Sequence, residues 1–240
     1  MDARDFWRYA GIGVLVGLHW VAFYGAIKLA NASVALICMA TTALFTALLE
    51  PFIVRTPFRV YELLLGLLII PGMALIVTTI DASLHLGLVV GLVSAFLAAL
   101  FATLNKRYIG KANPMRITFL ELGSAWVFLS IVLAVMHFSG SNTGIWWPPS
   151  SSDWVYLALL AFLCTTVAYT LNIKALQHIS AFASNLIINL EPVYGIALAW
   201  IILGDQKELS PGFYYGVVII LLAVFSYPFL RRKLRHKEAM

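Results

Sequence analysis

The sequence predicts an all-α polytopic membrane protein: eight transmembrane helices arranged as an inverted repeat, three plus five. Three observations predict this. Of 240 residues, 62% are hydrophobic and 11% charged, against about 45–50% and about 25% in a soluble domain. Eight apolar runs reach the roughly 20 residues that a spanning helix needs. Residues of the first third of the chain recur, in order, in the last third. A mean hydropathy of +0.91 leaves more apolar surface than a water-soluble globule of this size can hide. Nucleic-acid binding and soluble catalysis are therefore poor readings, despite a net charge of +5.

The eight runs lie near 8–28, 33–53, 60–80, 86–105, 115–138, 154–174, 180–203 and 212–231. None alternates with period two, which argues against a β-barrel. The first run is too long for a cleavable signal and lacks a small-residue cleavage pattern. Links are short except for SGSNTGIWWPPSSSD at 139–153. Its Trp146 and Trp147 read as an interfacial anchor. Cys38 and Cys164 sit inside apolar runs and suggest neither a disulfide framework nor a metal site; no cofactor is implied.

Basic residues set the orientation. With both termini cytoplasmic, fourteen of the sixteen Lys and Arg fall on the inner side, and only Lys28 and Lys207 fall outside. The opposite threading violates the positive-inside rule at nearly every loop. The basic segment 232–240 then reads as a cytoplasmic tail at anionic lipid.

The repeat appears when 41–70 is laid over 191–220 without gaps. Ala47 meets Ala197, Leu48 meets Leu198, Gly66 meets Gly216, and Ile69 and Ile70 meet Ile219 and Ile220. Upstream, an offset shorter by about one helical turn brings Ala22, Ile27 and Lys28 onto Ala168, Ile173 and Lys174. Partners are separated by five spans, an odd number, so they cross the membrane in opposite directions. Inverted repeats are the architecture of alternating-access transporters, with substrate held near the midplane.

At these residues the chain resembles the EamA-like branch of the drug/metabolite transporter superfamily. LEPVYGIALAWIILGDQKELSPGFYYGVVIILLAV (190–224) is similar to that family's last two helices, with a mid-helix Pro, a Leu-Gly-acid turn and a Gly in the final helix. IKLANASVAL (27–36) and IKALQHISAFAS (173–184) resemble its two helix-connecting turns. The resemblance implies ten helices, five plus five, and export or exchange of amino acids, metabolites or drug-like solutes. This chain shows an incomplete first repeat of three helices (1–81) and a complete second repeat of five (82–231). Truncation of the gene product is the favoured reading of that difference; a diverged form is the other.

Polar residues within the runs are the site candidates. Glu191 falls near the middle of 180–203, where an ionised side chain is costly unless paired or hydrated. Pro192 follows it and frees a backbone carbonyl. Glu191 either faces a central cavity, binding a cation or exchanging a proton, or is a buried acid bonded to a neighbouring helix. Asn185 and Asn189 share one helix face, Ser184 and Glu191 another; one face lines the cavity and the other packs. Thr41 and Thr42 are the repeat counterparts of Glu191 and Pro192, and otherwise bond their own backbone. His19 lies mid-span, as a site residue or an interhelical hydrogen-bonding group. Phe23 and Tyr169, in aligned positions, form an aromatic cavity wall or pack helices. Glu121 pairs with Arg116 or Lys174 at the boundary. Glu50 and Glu62 read as solvated or paired end residues beside Arg55 and Arg59. Gly13 with Gly17, and Gly87 with Gly91, are close helix-packing surfaces.

Three function classes remain. The leading one is an integral transporter of small metabolites in the cell or bacterial inner membrane. Its partners are lipid, a small-molecule substrate and a coupling proton or counter-substrate, and a homodimer is compatible. The second is a non-transporting remnant or subunit that needs a partner. The third, an intramembrane enzyme, lacks any nucleophile, paired-acid or metal motif.

Overall fold

The computed structural model describes residues 2–30, 32–76, 85–110, 112–140, 147–148, 150–191, 194 and 211–238. Helix is the only regular structure among them. Helices α1 (Ala3–Leu29), α2 (Ala32–Ala40), α3 (Thr42–Val54), α4 (Val60–Ile76), α5 (His85–Tyr108) and α6 (Pro114–Phe138) come first. Then follow α7 (Ser151–Leu159), a π-helical segment (Leu160–Val167), α8 (Ala168–Leu176), α9 (Ala181–Ile188) and α10 (Pro211–Glu238). Among the described residues, six helical stretches are long and apolar enough to cross a membrane, and Val60–Leu75 is a shorter apolar one. The chain is thus a polytopic helical membrane protein.

Helix starts follow their local chemistry. Asn113 accepts from the Met115 amide at 2.9 Å, with Pro114 at the first helical position of α6. Ser150 and Asp153 form a reciprocal capping box on α7. Ser180 accepts from the Ala183 amide at 3.1 Å to start α9. Each satisfies amides that a helix N-terminus leaves without partners. Helix α3 ends at Arg55, whose φ of 63° turns the chain out of the helix.

Besides the seventh run, which is interrupted at Asn189 and Leu190, three runs differ from their expected form. The run at 33–53 is broken at Thr41, whose amide and hydroxyl both donate to the Cys38 carbonyl, at 3.0 and 2.6 Å. A Thr bonding its own backbone this way competes with a straight helix. The run at 154–174 contains the π-helical segment. There the Thr165 and Thr166 hydroxyls each donate to a carbonyl five residues back, Leu160 and Ala161, at 2.9 Å. The last run does not stop before the basic tail: α10 continues to Glu238, since Arg, Lys and Leu are strong helix formers. Residues 77–84, 192–193 and 195–210 lie outside the described residues, and with them Pro192 and most of the seventh run.

The helices group into two compact units, Met1–Leu18 with Asn105–Ile179, and His19–Leu104 with Ser180–Met240. Each unit draws on both halves of the chain. In the first, α1 lies close against α6. A Cβ on Gly13 would strike the Glu121 carbonyl oxygen and stand 2.8 Å from Ser124 Cβ; one on Gly17 would stand 2.7 Å from Phe128. Helices α6 and α8 are joined by Thr170 donating to Thr118 at 3.1 Å. One end of this unit is stitched by Tyr9 donating to the Tyr108 carbonyl (2.9 Å), Lys106 to that of Leu176 (2.7 Å) and Gln177 to that of Ala112 (3.0 Å). From Ser151 to Cys164 every residue except Asp153 is exposed. Trp147 is exposed and stacks at 6.1 Å on Trp154; Trp146 lies outside the described residues.

In the second unit, α4 packs along α10 and α3, and α9 packs on α3. Its core holds Ile69, Met73, Phe182, Leu186 and Ile220. Gly91 of α5 meets Cys38, with an added Cβ only 2.7 Å from Sγ, and Gly87 abuts Ala30.

Candidate functional site

Two interrupted helices meet in the second unit. The first breaks at Thr41, between α2 and α3. The second breaks after Ile188, where Asn189 and Leu190 form a turn before helix resumes at Glu191. In the alignment of 41–70 on 191–220, Thr41 meets Glu191, the residue after the second break, so the two breaks fall within two residues of each other in that register. In inverted-repeat transporters such interrupted pairs mark the substrate site.

What lies beyond each break follows from helical spacing. Thr42, Thr46 and Glu50 occupy one face of α3, four residues apart, and all three are buried. That face meets α9. Asn185 donates to Thr46 Oγ1 at 2.7 Å, and Thr46 in turn donates to the Thr42 carbonyl at 2.7 Å. Asn189 donates to the Asn185 carbonyl at 3.1 Å. Glu50 accepts from the Ala181 and Phe182 amides, at 3.1 and 2.8 Å, at the positive end of α9. Thr42 Oγ1 is buried and has no hydrogen-bond partner. A native core rarely leaves a hydroxyl so, and this one sits one residue past the break.

Four of the expected site residues, Thr41, Thr42, Asn185 and Asn189, therefore lie together. Glu191 is on the same broken helix but exposed. His19 and Phe23 belong to the contact of α1 with α5. His19 Nδ1 is 2.9 Å from both the carbonyl and the hydroxyl of Ser94, and its ring lies 6.1 Å from Phe23 and 5.6 Å from Phe101. The Ser94 hydroxyl also lies 3.9 Å from Met39 Sδ, on the turn before Thr41. His19 is thus an interhelical hydrogen-bonding group.

Tyr169 is elsewhere, in the first unit, where its hydroxyl donates to Glu121 at 2.6 Å. Glu121 is bonded to Tyr169 and to Asn105 (3.1 Å), rather than to Arg116 or Lys174. It is fully buried, and its partners come from α5 and α8, beyond the reach of a one-helix spacing argument. Glu50 and Glu62 are also buried, not solvated. Glu62 accepts from Arg59 (3.3 Å), Tyr61 (3.4 Å) and Tyr227 (3.4 Å). The signal for Glu50 was in the sequence, in its spacing of four and eight residues from Thr46 and Thr42.

Fold and site together define a polytopic helical protein with paired broken helices, the class to which membrane carriers belong. The chain belongs to the EamA-like transporter family, whose model matches residues 2–78 and 85–227. No curated protein matches it. A solved crystal structure, described only as that of a protein, is similar with a TM-score of 0.73 at 16% identity, covering 93% of this chain and 77% of that one. At that identity the likeness shows the fold alone.

Proposed function

We propose that the chain moves small metabolites, an amino acid or a drug-like solute, across the cell or bacterial inner membrane by alternating access, with both termini cytoplasmic. The observation that carries this reading is the pair of helix breaks within two residues of repeat-equivalent positions, joined by a buried polar seam with one unsatisfied hydroxyl. The gap in the family match between 78 and 85 supports the division into repeats 1–81 and 82–231. Thr42, Asn185 and Asn189 then present hydrogen-bonding groups to solute, and Glu191, two residues past Asn189, binds a cationic group or exchanges a proton. Catalysis has no part in this reading.

Counterflow in proteoliposomes of the full chain, with radiolabelled neutral and cationic amino acids and a cationic dye as probes, tests it. Protein-dependent uptake of at least one probe is the expected result; no uptake of any sinks transport by this chain alone. Thr42→Val keeps shape and removes the unsatisfied hydroxyl, whose burial costs about 1–3 kcal/mol. Its expected signature is a melting temperature equal to or above that of the parent with a slower uptake rate. Glu191→Gln is expected to change both the rate and its pH dependence, and an unchanged pH profile removes Glu191 from the site.

A second reading has its own observation. None of the most apolar stretch within Ser151–Leu176 is buried inside the chain. A subunit that packs this helix against another chain, a second copy included, would have this property. Light scattering of the purified chain separates a monomer from a dimer.

A further inference from the structure

Glu121 and Asn105 hold an arrangement that one proton would complete. Both side chains are buried, at 0% and 1% exposure. Asn105 Nδ2 donates to Glu121 Oε2 at 3.1 Å, and the Tyr169 hydroxyl donates to the same oxygen at 2.6 Å. The other two oxygens, Glu121 Oε1 and Asn105 Oδ1, have no hydrogen-bond partner at all. Two buried acceptors on adjoining planar groups are costly when unsatisfied. A carboxylic acid and a primary amide resolve this by closing a ring: amide N–H to acid carbonyl, acid O–H to amide carbonyl. Half of that ring is present.

We propose that the Glu121–Asn105 pair is a reversible proton-binding site, in which Oε1–H donates to Asn105 Oδ1. Binding adds one proton to Oε1 and makes both orphan oxygens partners. Release returns it to water and leaves a carboxylate held by Tyr169 and the Asn105 amide. Among the described residues no cation is bonded to Glu121. The titratable groups facing Glu121 are the phenols of Tyr169 on α8 and Tyr9 on α1. The described cations of the flanking helices are engaged or turned away: Lys106 donates to the Leu176 carbonyl, Arg8 pairs with Asp5 and, like Arg107, lies over the Tyr108 ring, and Arg116 and Lys174 are exposed. The site stands on this geometry alone. In a carrier it would supply the coupling proton.

The test uses the full chain in lipid nanodiscs, with isotope-labelled glutamate and infrared difference spectra from about pH 6 to about pH 9. A protonated-carboxyl band that titrates reversibly in the parent and is missing in Glu121→Gln is the expected result. Asn105→Leu should shift its frequency. A band identical in Glu121→Gln, or none in the parent at any pH, overturns the proposal; so does one that never titrates. Thermal unfolding gives a second readout. Glutamine mimics the protonated acid, donating to Oδ1 and accepting from Nδ2, so Glu121→Gln should fold. A folded state that holds a proton which the unfolded chain releases loses stability as pH rises, up to tenfold in the folding constant per pH unit. Glu121→Gln should lack that slope, and parallel profiles for the two proteins count against the site.

Discussion

Replacing Glu50 by alanine is expected to lower the stability of the purified chain by about 3 kcal/mol or more. Its carboxylate accepts two backbone amides at the start of α9, a helix of only eight residues. A hydrogen bond to a charged group contributes about 1.5–3 kcal/mol, and the buried amides left behind would carry an added penalty. The favourable placement of a negative charge at a helix N-terminus is lost as well. Glutamine does not rescue the position. Both oxygens accept here, and a glutamine would turn its NH2 group against an amide N–H. Thermal melts in detergent of Glu50→Ala and Glu50→Gln should therefore both fall well below the parent. The contrast with Glu121, where glutamine reproduces the protonated acid, is the sharpest check on the two environments. If Glu50→Gln melts with the parent, the carboxylate is not what anchors α9.

Gly13→Leu is expected to cost about 3 kcal/mol, near the upper range for overpacking. A side chain at this position starts inside the Glu121 carbonyl oxygen, on a helix backbone that cannot swing aside as a flexible side chain could. The helices must separate, and Asn105, Tyr169 and Glu121 lose their register with them. Gly123 provides the control. It lies on α6 two residues past Glu121, and a Cβ there meets nothing within 4 Å. Gly123→Ala should be neutral or slightly stabilising, because alanine is the better helix former by about 1 kcal/mol. Equal losses at Gly13 and Gly123 would mean that helix approach does not set the cost.

The helical class, the number of runs and the small-residue contacts were legible because each depends on residues near in sequence. Length of apolar run and glycine spacing carry them directly. The break at Thr41 was half legible: its alignment with Glu191 marked the position, but the hydroxyl that forms the turn could equally have bonded within a straight helix. The polar seam required knowing that α3 and α9 pack together, which no local period reports. Glu50 was misplaced for the same reason, whereas Glu62 is paired with Arg59 as read but lies buried. A carboxylate near a run's end, with Arg nearby, reads as solvated until a neighbouring helix covers it. The partners of Glu121 come from positions 16 and 48 residues away, and aligning Tyr169 with Phe23 drew attention to its ring when its hydroxyl matters.

The π-helical segment has a mechanical consequence. Below it, α8 is bolted to α6 through Thr170–Thr118 and Tyr169–Glu121. On the other side of it, every residue of Ser151–Leu159 except Asp153 is exposed. Between the two, the Leu160 and Ala161 carbonyls are held by the Thr165 and Thr166 hydroxyls, and a one-residue slip would exchange those partners. Such a slip would advance the half before it by about 1.5 Å and rotate it by about 100°. Any change of register between the two halves of this helix would therefore be taken up within Leu160–Val167.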